Sequence, residues 1–175
     1  MKTLKSIFIA LVLFTISSNA QITKGNWMVG GSGSFYSANF KDQNFDSKSI
    51  GLELRPNIGY FLADKFAVGI SPLLGYNKPE GSTSVTSYGI GLYSRYYLLN
   101  TDRRVNILTH LGYSYFTSSN SMSKSTAVDL KAGPVVYFNS SVALEMTLNY
   151  NSNQQSSTTY NILSIGLGFQ IHLEK

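Results

Sequence analysis

Large apolar side chains recur at every second position along almost the whole chain, with small or polar residues between them. In 48–60, Ile50, Leu52, Leu54, Pro56, Ile58 and Tyr60 fall on one face, and Gly51, Glu53, Arg55, Asn57 and Gly59 on the other. Successive side chains of an extended chain point to opposite faces, so a period of two predicts β-strand. Eight such runs follow one another: 26–38, 48–60, 66–77, 85–98, 104–116, 126–138, 141–150 and 159–173. The first is the weakest, because Gly30, Gly31 and Gly33 thin its alternation. No stretch carries a sustained helical period. The connections at 62–65, 99–103 and 139–140 are short, whereas those at 39–47, 78–84, 117–125 and 151–158 are longer and rich in Ser, Asn and Thr. An even number of strands joined by short and long connections in strict alternation predicts an all-β fold, an eight-stranded antiparallel up-and-down barrel with both termini at the short-turn end.

A two-faced barrel can turn its apolar face toward a core or toward lipid, and three features favour lipid. An eight-stranded barrel has an interior just wide enough for its own side chains. Phe66, Val68, Ile70, Leu74 and Tyr76, with Tyr88, Ile90, Leu92, Tyr96 and Leu98 and then Leu144, Met146, Leu148 and Tyr150, would overfill it. The opposite face is small (Ala67, Gly69, Ser71, Gly75, Gly89, Gly91), so it is the expected lining. Aromatic rings also gather near strand ends, as they do where a bilayer meets water: Trp27, Tyr60, Phe66, Tyr96 and Phe138 near the short turns, and Tyr76, Tyr88 and Tyr150 near the long connections. Phe66 and Tyr76 are ten steps apart, which in a tilted strand is roughly 25 Å along the barrel axis, the height of a transmembrane apolar band. Within the strands, finally, almost all charge falls on the small face. The prediction is a transmembrane barrel with the apolar face outward. Pro56, Pro72 and Pro134 lie inside strands on that face, where each removes a ladder donor, so bulges or lost hydrogen bonds are expected there.

The first twenty residues break the pattern. Lys2 and Lys5 precede an apolar run, Ile7 to Ile16, and Ser17, Ser18, Asn19 and Ala20 follow. This reads as a cleaved secretory signal peptide (1–20), too short to span a bilayer, ahead of one barrel domain at 21–175. The chain has no cysteine, so it has neither disulfides nor a thiolate metal site. Its formal charge is +5, or +3 without Lys2 and Lys5, scattered in mixed-sign groups such as Lys41, Asp42, Asp46 and Lys48. No basic stripe tracks a phosphate backbone, which argues against a nucleic-acid partner.

On these features the chain resembles the small outer-membrane β-barrel family (the outer membrane protein beta-barrel domain), similar in layout to OmpX and to the barrel half of OmpA. The likeness covers essentially all of 21–175. The last strand resembles the β-signal read by the barrel-assembly machinery, a polar residue, a glycine and two hydrophobics on alternate positions: Ser164, Gly166, Phe169 and Ile171. The usual signal ends at an aromatic residue, whereas this chain continues through Leu173 to Glu174 and Lys175. The resemblance implies a Gram-negative cell, outer-membrane lipid and that machinery as partners, and a monomer. It implies no single activity, since members include structural proteins, adhesins, complement-evasion factors, channels for small hydrophobic compounds and lipid-modifying enzymes.

The inward charges are the candidate chemistry. Glu53, Arg55, Arg95, Asp129, Lys131 and Glu145 amount to three positive and three negative groups. A charge unpaired in a narrow lumen is costly, so a balanced polar network filling the barrel is expected. The alternative is a gated, narrow porin-like channel for small solutes. His110 points inward and joins the network, with no serine at the spacing a lipid A deacylase of this architecture would use. His172 is expected near the terminal end, beside Glu174, too far from His110 for a metal site. Gly30, Gly31 and Gly33 lead into strand rather than helix and so do not form a phosphate cradle. The expectation is therefore no enzyme and no cofactor, with a structural or surface-interaction role. An extracellular ligand would meet the loops 39–47, 78–84, 117–125 and 151–158. A soluble secreted ligand-binding barrel is the second alternative.

Overall fold

The computed structural model describes residues 22–42, 45–119, 121–155 and 158–174, and the expected signal peptide lies outside them. Eight strands are present: β1 (Trp27–Asp42), β2 (Phe45–Ala63), β3 (Phe66–Pro79), β4 (Val85–Tyr97), β5 (Val105–Ser118), β6 (Ser121–Tyr137), β7 (Val142–Gln155) and β8 (Thr158–Leu173). Each pairs antiparallel with the next, and β1 pairs with β8, so the sheet closes into an up-and-down barrel. Following paired residues from Trp27 through Tyr60, Val68, Ser94, Leu111, Leu130, Tyr150 and Leu163, and extending the β1–β8 register, returns to β1 at Ser37, ten residues along. Ten residues of stagger over eight strands correspond to a strand tilt of about 40°.

The faces fall as the alternation predicts. Ile70, Leu92 and Leu144 are exposed on the outer wall, as are Ile50, Leu74, Tyr88 and Leu148. A one-residue slip would reverse every one of these, so the period of two fixes the register wherever one face is packed.

Two expectations need correction. Most of 39–47, 117–125 and 151–158 is strand rather than loop: β1 runs to Asp42 and β2 starts at Phe45, β5 runs to Ser118 and β6 starts at Ser121, and β7 runs to Gln155 and β8 starts at Thr158. Ser, Thr and Asn continue a ladder already in register, because each added pair satisfies two backbone groups without asking the side chain for burial. The hairpins at this end therefore project well beyond an apolar band. The 19-residue β2 is about 60 Å long, roughly 45 Å of it along the axis. At the other end the connections are not uniformly tight. The β2–β3 turn is short, with Lys65 in the left-handed region at φ 66°. The β4–β5 connection spans 98–104 and is held by Asn106, whose Oδ1 accepts from Leu99 N at 2.9 Å.

The prolines cost pairing rather than register. Between β2 and β3 the ladder runs to Leu54–Leu74 and resumes at Ile58–Ile70 in the same register, with Pro56 opposite Pro72 in the gap. The Ser71 hydroxyl donates to the Pro56 carbonyl at 2.9 Å, which replaces part of the loss. Between β6 and β7 the ladder skips Gly133 and Pro134. No bulge forms at either place; register shifts fall instead at Phe61/Ala63 and Thr117/Ser118.

Gly133 also lets β7 come close. A Cβ there would overlap the Met146 carbonyl oxygen and stand 2.8 Å from Thr147 Cα. These are backbone atoms that cannot rotate away. Gly133→Ala is expected to lose about 1–3 kcal/mol of stability. Gly75→Ala, whose Cβ would stand 3.4 Å from Ser87 Cβ, should change it little. Urea titrations of the two refolded variants check the contrast.

Candidate functional site: a two-tier lumen

The lumen fills in layers from the terminal end. Ile22 caps it, with its carbonyl accepting from Lys65 N at 2.8 Å, and it is fully buried. Behind it Met28, Phe61, Tyr97, Leu108, Val135 and Tyr137 form a continuous apolar cluster with Ala67 and Ala143. His172 is fully buried among these rings, with centroids 5.5 Å from Tyr137, 5.8 Å from Phe61 and 6.2 Å from Tyr97. It lies at the terminal end, as expected, and turns inward into the floor. The cluster corrects the idea of a lumen lined only by small residues: bulky inward groups make that floor.

The polar tier rests on that floor. Arg95 and Glu145, both nearly fully buried, pair at 2.9 Å. Gln170 Nε2 donates to the second Glu145 oxygen at 3.5 Å. The same Arg95 reaches His110 Nδ1 from Nε at 3.2 Å and Met28 Sδ from Nη1 at 3.8 Å, and its guanidinium lies 5.1 Å from the Tyr93 ring centroid. Tyr93 stacks on His110 at 5.2 Å. Gly59 and Gly69 make room for that ring, since a Cβ on either would stand 2.6 or 2.5 Å from the Tyr93 hydroxyl.

A step further toward the hairpins, Arg55 Nε pairs with Glu53 at 2.7 Å and Arg55 Nη1 with Asp129 at 3.7 Å. Asp129 also accepts a short hydrogen bond from Asn151. Lys131 lines the same space, as does His110. Six of the seven residues expected to share the lumen, Arg55, Arg95, His110, Asp129, Lys131 and Glu145, line one cavity of about 80 Å³, and Glu53 joins them through its ion pair with Arg55. Among the described residues no three His, Asp or Glu side chains converge as a metal site requires.

The remaining singled-out residues lie on the wall. Trp27, Tyr76, Tyr88, Tyr96, Phe138 and Tyr150 are exposed outward, with Tyr60 and Phe66 half-buried. Trp27 and Tyr60 pair across β1 and β2 with centroids 5.0 Å apart. In β8, Phe169 and Ile171 face outward and Gly166 faces in, its absent Cβ position 2.5 Å from Asn149 Nδ2.

A closed eight-stranded barrel with a bulky apolar exterior and a plugged polar interior has the fold of the small outer-membrane β-barrels. No protein-family model matches the chain, and no curated protein matches it. Among solved structures it is similar to the outer membrane protein OprG from Pseudomonas aeruginosa, with 17% identity, a TM-score of 0.55, and coverage of 89% of this chain and 100% of that one. Two structures of OmpT, an outer membrane protein of Vibrio cholerae, align at 11% and 10% identity with a TM-score of 0.37, and the chain spans about half their length.

Proposed function

We propose that this protein is an integral outer-membrane barrel that works as a structural and surface-presenting element, with a lumen closed to through-flow. The observation that carries this reading is the apolar floor of Met28, Phe61, Tyr97, Tyr137 and His172 beneath the buried Arg95–Glu145 pair. A water path would have to cross both. The exposed band of Ile, Leu and Val supports insertion in lipid over a soluble secreted barrel, because a patch this large in water would drive association.

In this reading residues 1–20 direct export, and the assembly machinery reads Ser164, Gly166, Phe169 and Ile171. Trp27, Tyr60, Phe66, Tyr76, Tyr88, Tyr96, Phe138 and Tyr150 settle at the two interfaces, where half-apolar rings are favoured. The monomer holds its four hairpins outside the cell, available to a ligand. A non-catalytic role is supported by His110, whose Nδ1 is taken by Arg95 and whose ring is stacked on Tyr93.

The purified barrel in planar bilayers is expected to show negligible conductance. Stable, ion-selective single-channel currents would overturn the plug and favour the narrow channel instead.

A further inference from the structure

Closure of the barrel is incomplete on one side. Among the described residues, β1 and β8 pair only from Trp27–Leu173 to Gly31–Phe169. Beyond that point β1 pairs only with β2 and β8 only with β7, although both strands continue for about ten residues. The exposures report the same seam. Leu163, Ile165 and Leu167 on β8 are 68%, 78% and 64% exposed, three successive outward residues at or near the top of a range that runs from 40% for Leu144 to 66% for Leu92 on fully paired strands. Ile162 is 47% exposed although it shares the inward face of Gln170.

The lumen cavity reaches both lips of this seam: its lining includes Gly31 and Ser32 on β1 and Gly166, Leu167 and Gly168 on β8. Backbone left unpaired at membrane depth is tolerated only where it borders protein or a water-filled cavity. Where the cavity meets the lips they are Gly31 and Ser32 on β1 and Gly166 and Gly168 on β8, with Leu167 pointing outward between those two glycines. The next pairs in register, Ser32 with Gly168 and Gly33 with Leu167, would continue the in–out alternation if the seam closed.

Behind the seam the charges are asymmetric. Each lumen carboxylate has a cationic partner: Glu53 and Asp129 share Arg55, and Glu145 has Arg95. Lys131 has no ion-pair partner within 4 Å among the described residues. It lines the same cavity as Gly166, Leu167 and Gly168 at the opening. Ser114 Oγ and Asn149 Oδ1 are buried there without a hydrogen-bond partner. A cavity of about 80 Å³ has room for a small polar head and not for an alkyl chain. Any chain attached to such a head must lie in the seam, against Leu167 and the surrounding lipid.

We propose that the β1–β8 seam is a lateral portal that admits the carboxylate head of a single-chain amphiphile from the surrounding leaflet to Lys131, while its tail stays between the lips. The apolar floor makes this a side pocket rather than a route across the membrane. Its test is therefore independent of the conductance test.

The chain has no cysteine, so the pairs Ser32→Cys with Gly168→Cys and, separately, Gly33→Cys with Leu167→Cys can lock the seam without background. The protein is placed in phosphatidylcholine nanodiscs containing stearate spin-labelled near its chain end, at a pH where the acid is ionised. The motionally restricted fraction is read against the spin-labelled methyl ester and spin-labelled phosphatidylcholine. With the seam unlocked, stearate should show at least a threefold larger restricted fraction than either control. Oxidation of either cysteine pair should bring it down to the ester level, and reductant should restore it. Lys131→Met should do the same without a lock, in a barrel that keeps its heat-modifiable gel migration. Equal fractions for acid and ester would overturn the proposal, as would a fraction unchanged by a lock confirmed by its cross-linked mobility. If one cysteine pair fails to refold, the other pair and Lys131→Met still decide.

Discussion

Arg95→Ala is expected to destabilise the barrel by about 3–5 kcal/mol, whereas Arg95→Met combined with Glu145→Leu should cost far less or nothing. The asymmetry follows from burial. Both members of the pair are almost inaccessible to solvent. Removing the guanidinium leaves the Glu145 carboxylate with Gln170 Nε2 at 3.5 Å, and it also strips His110 Nδ1 and Met28 Sδ of their donor. The double replacement removes both charges and extends the apolar floor of Tyr97 and Leu108 upward by one layer. Urea unfolding of the barrel in lipid vesicles measures the difference. Trp27, the single tryptophan, is exposed on the outer wall beside Tyr60, so its emission reports transfer from lipid to water. An Arg95→Ala barrel as stable as the parent would mean that water reaches Glu145, and the plug would lose its physical basis.

The outward face was legible because a strand has only two faces and every residue votes on which is which. Ile50, Leu52, Leu54 and Ile58 could not all be turned inward together. The lumen charges were legible for the same reason. The apolar floor was not, because alternation gives a face but not a height. Its signal was present as a break in the pattern. At the terminal end the chain carries consecutive bulky residues: Trp27–Met28, Tyr60–Phe61–Leu62, Tyr96–Tyr97–Leu98 and Val135–Val136–Tyr137–Phe138. Where both faces are apolar, one of them must be inside. His172 belongs to the same level through its β8 neighbour Leu173, and only the closure of β8 onto β1 brings it to Phe61 and Tyr97. The seam was beyond sequence reasoning altogether. It depends on how far the first and last strands pair, and nothing local to 32–37 or 163–168 encodes the extent of a contact between opposite ends of the chain. In the Ser/Thr/Asn segments polarity does not mean irregularity. A ladder asks only that backbone groups find partners, and the neighbouring strand already supplied them.

Leu92→Arg should cost about 2–4 kcal/mol in a bilayer, and Leu98→Arg no more than about 1 kcal/mol. Leu92 lies midway along the exposed wall, paired with Ile70 on β3 and Tyr113 on β5. Leu98 is just past the end of β4 at the terminal rim, beside the aromatic Tyr96. Both leucines are about half exposed or more, at 66% and 49%, so in water the two substitutions would be close to neutral and would not differ. In lipid they separate by depth, because a guanidinium at mid-height has no water within reach, whereas one at the rim extends to the headgroups. Paired urea titrations in vesicles and in mild detergent give the readout. A large Leu92 penalty in vesicles with a small Leu98 penalty places the apolar wall against acyl chains and fixes its midplane. Equal, small penalties in both media would mean that the wall does not face a bilayer. The membrane reading would then fall, together with the portal that opens through it, while the fold and its internal ion pairs would stand.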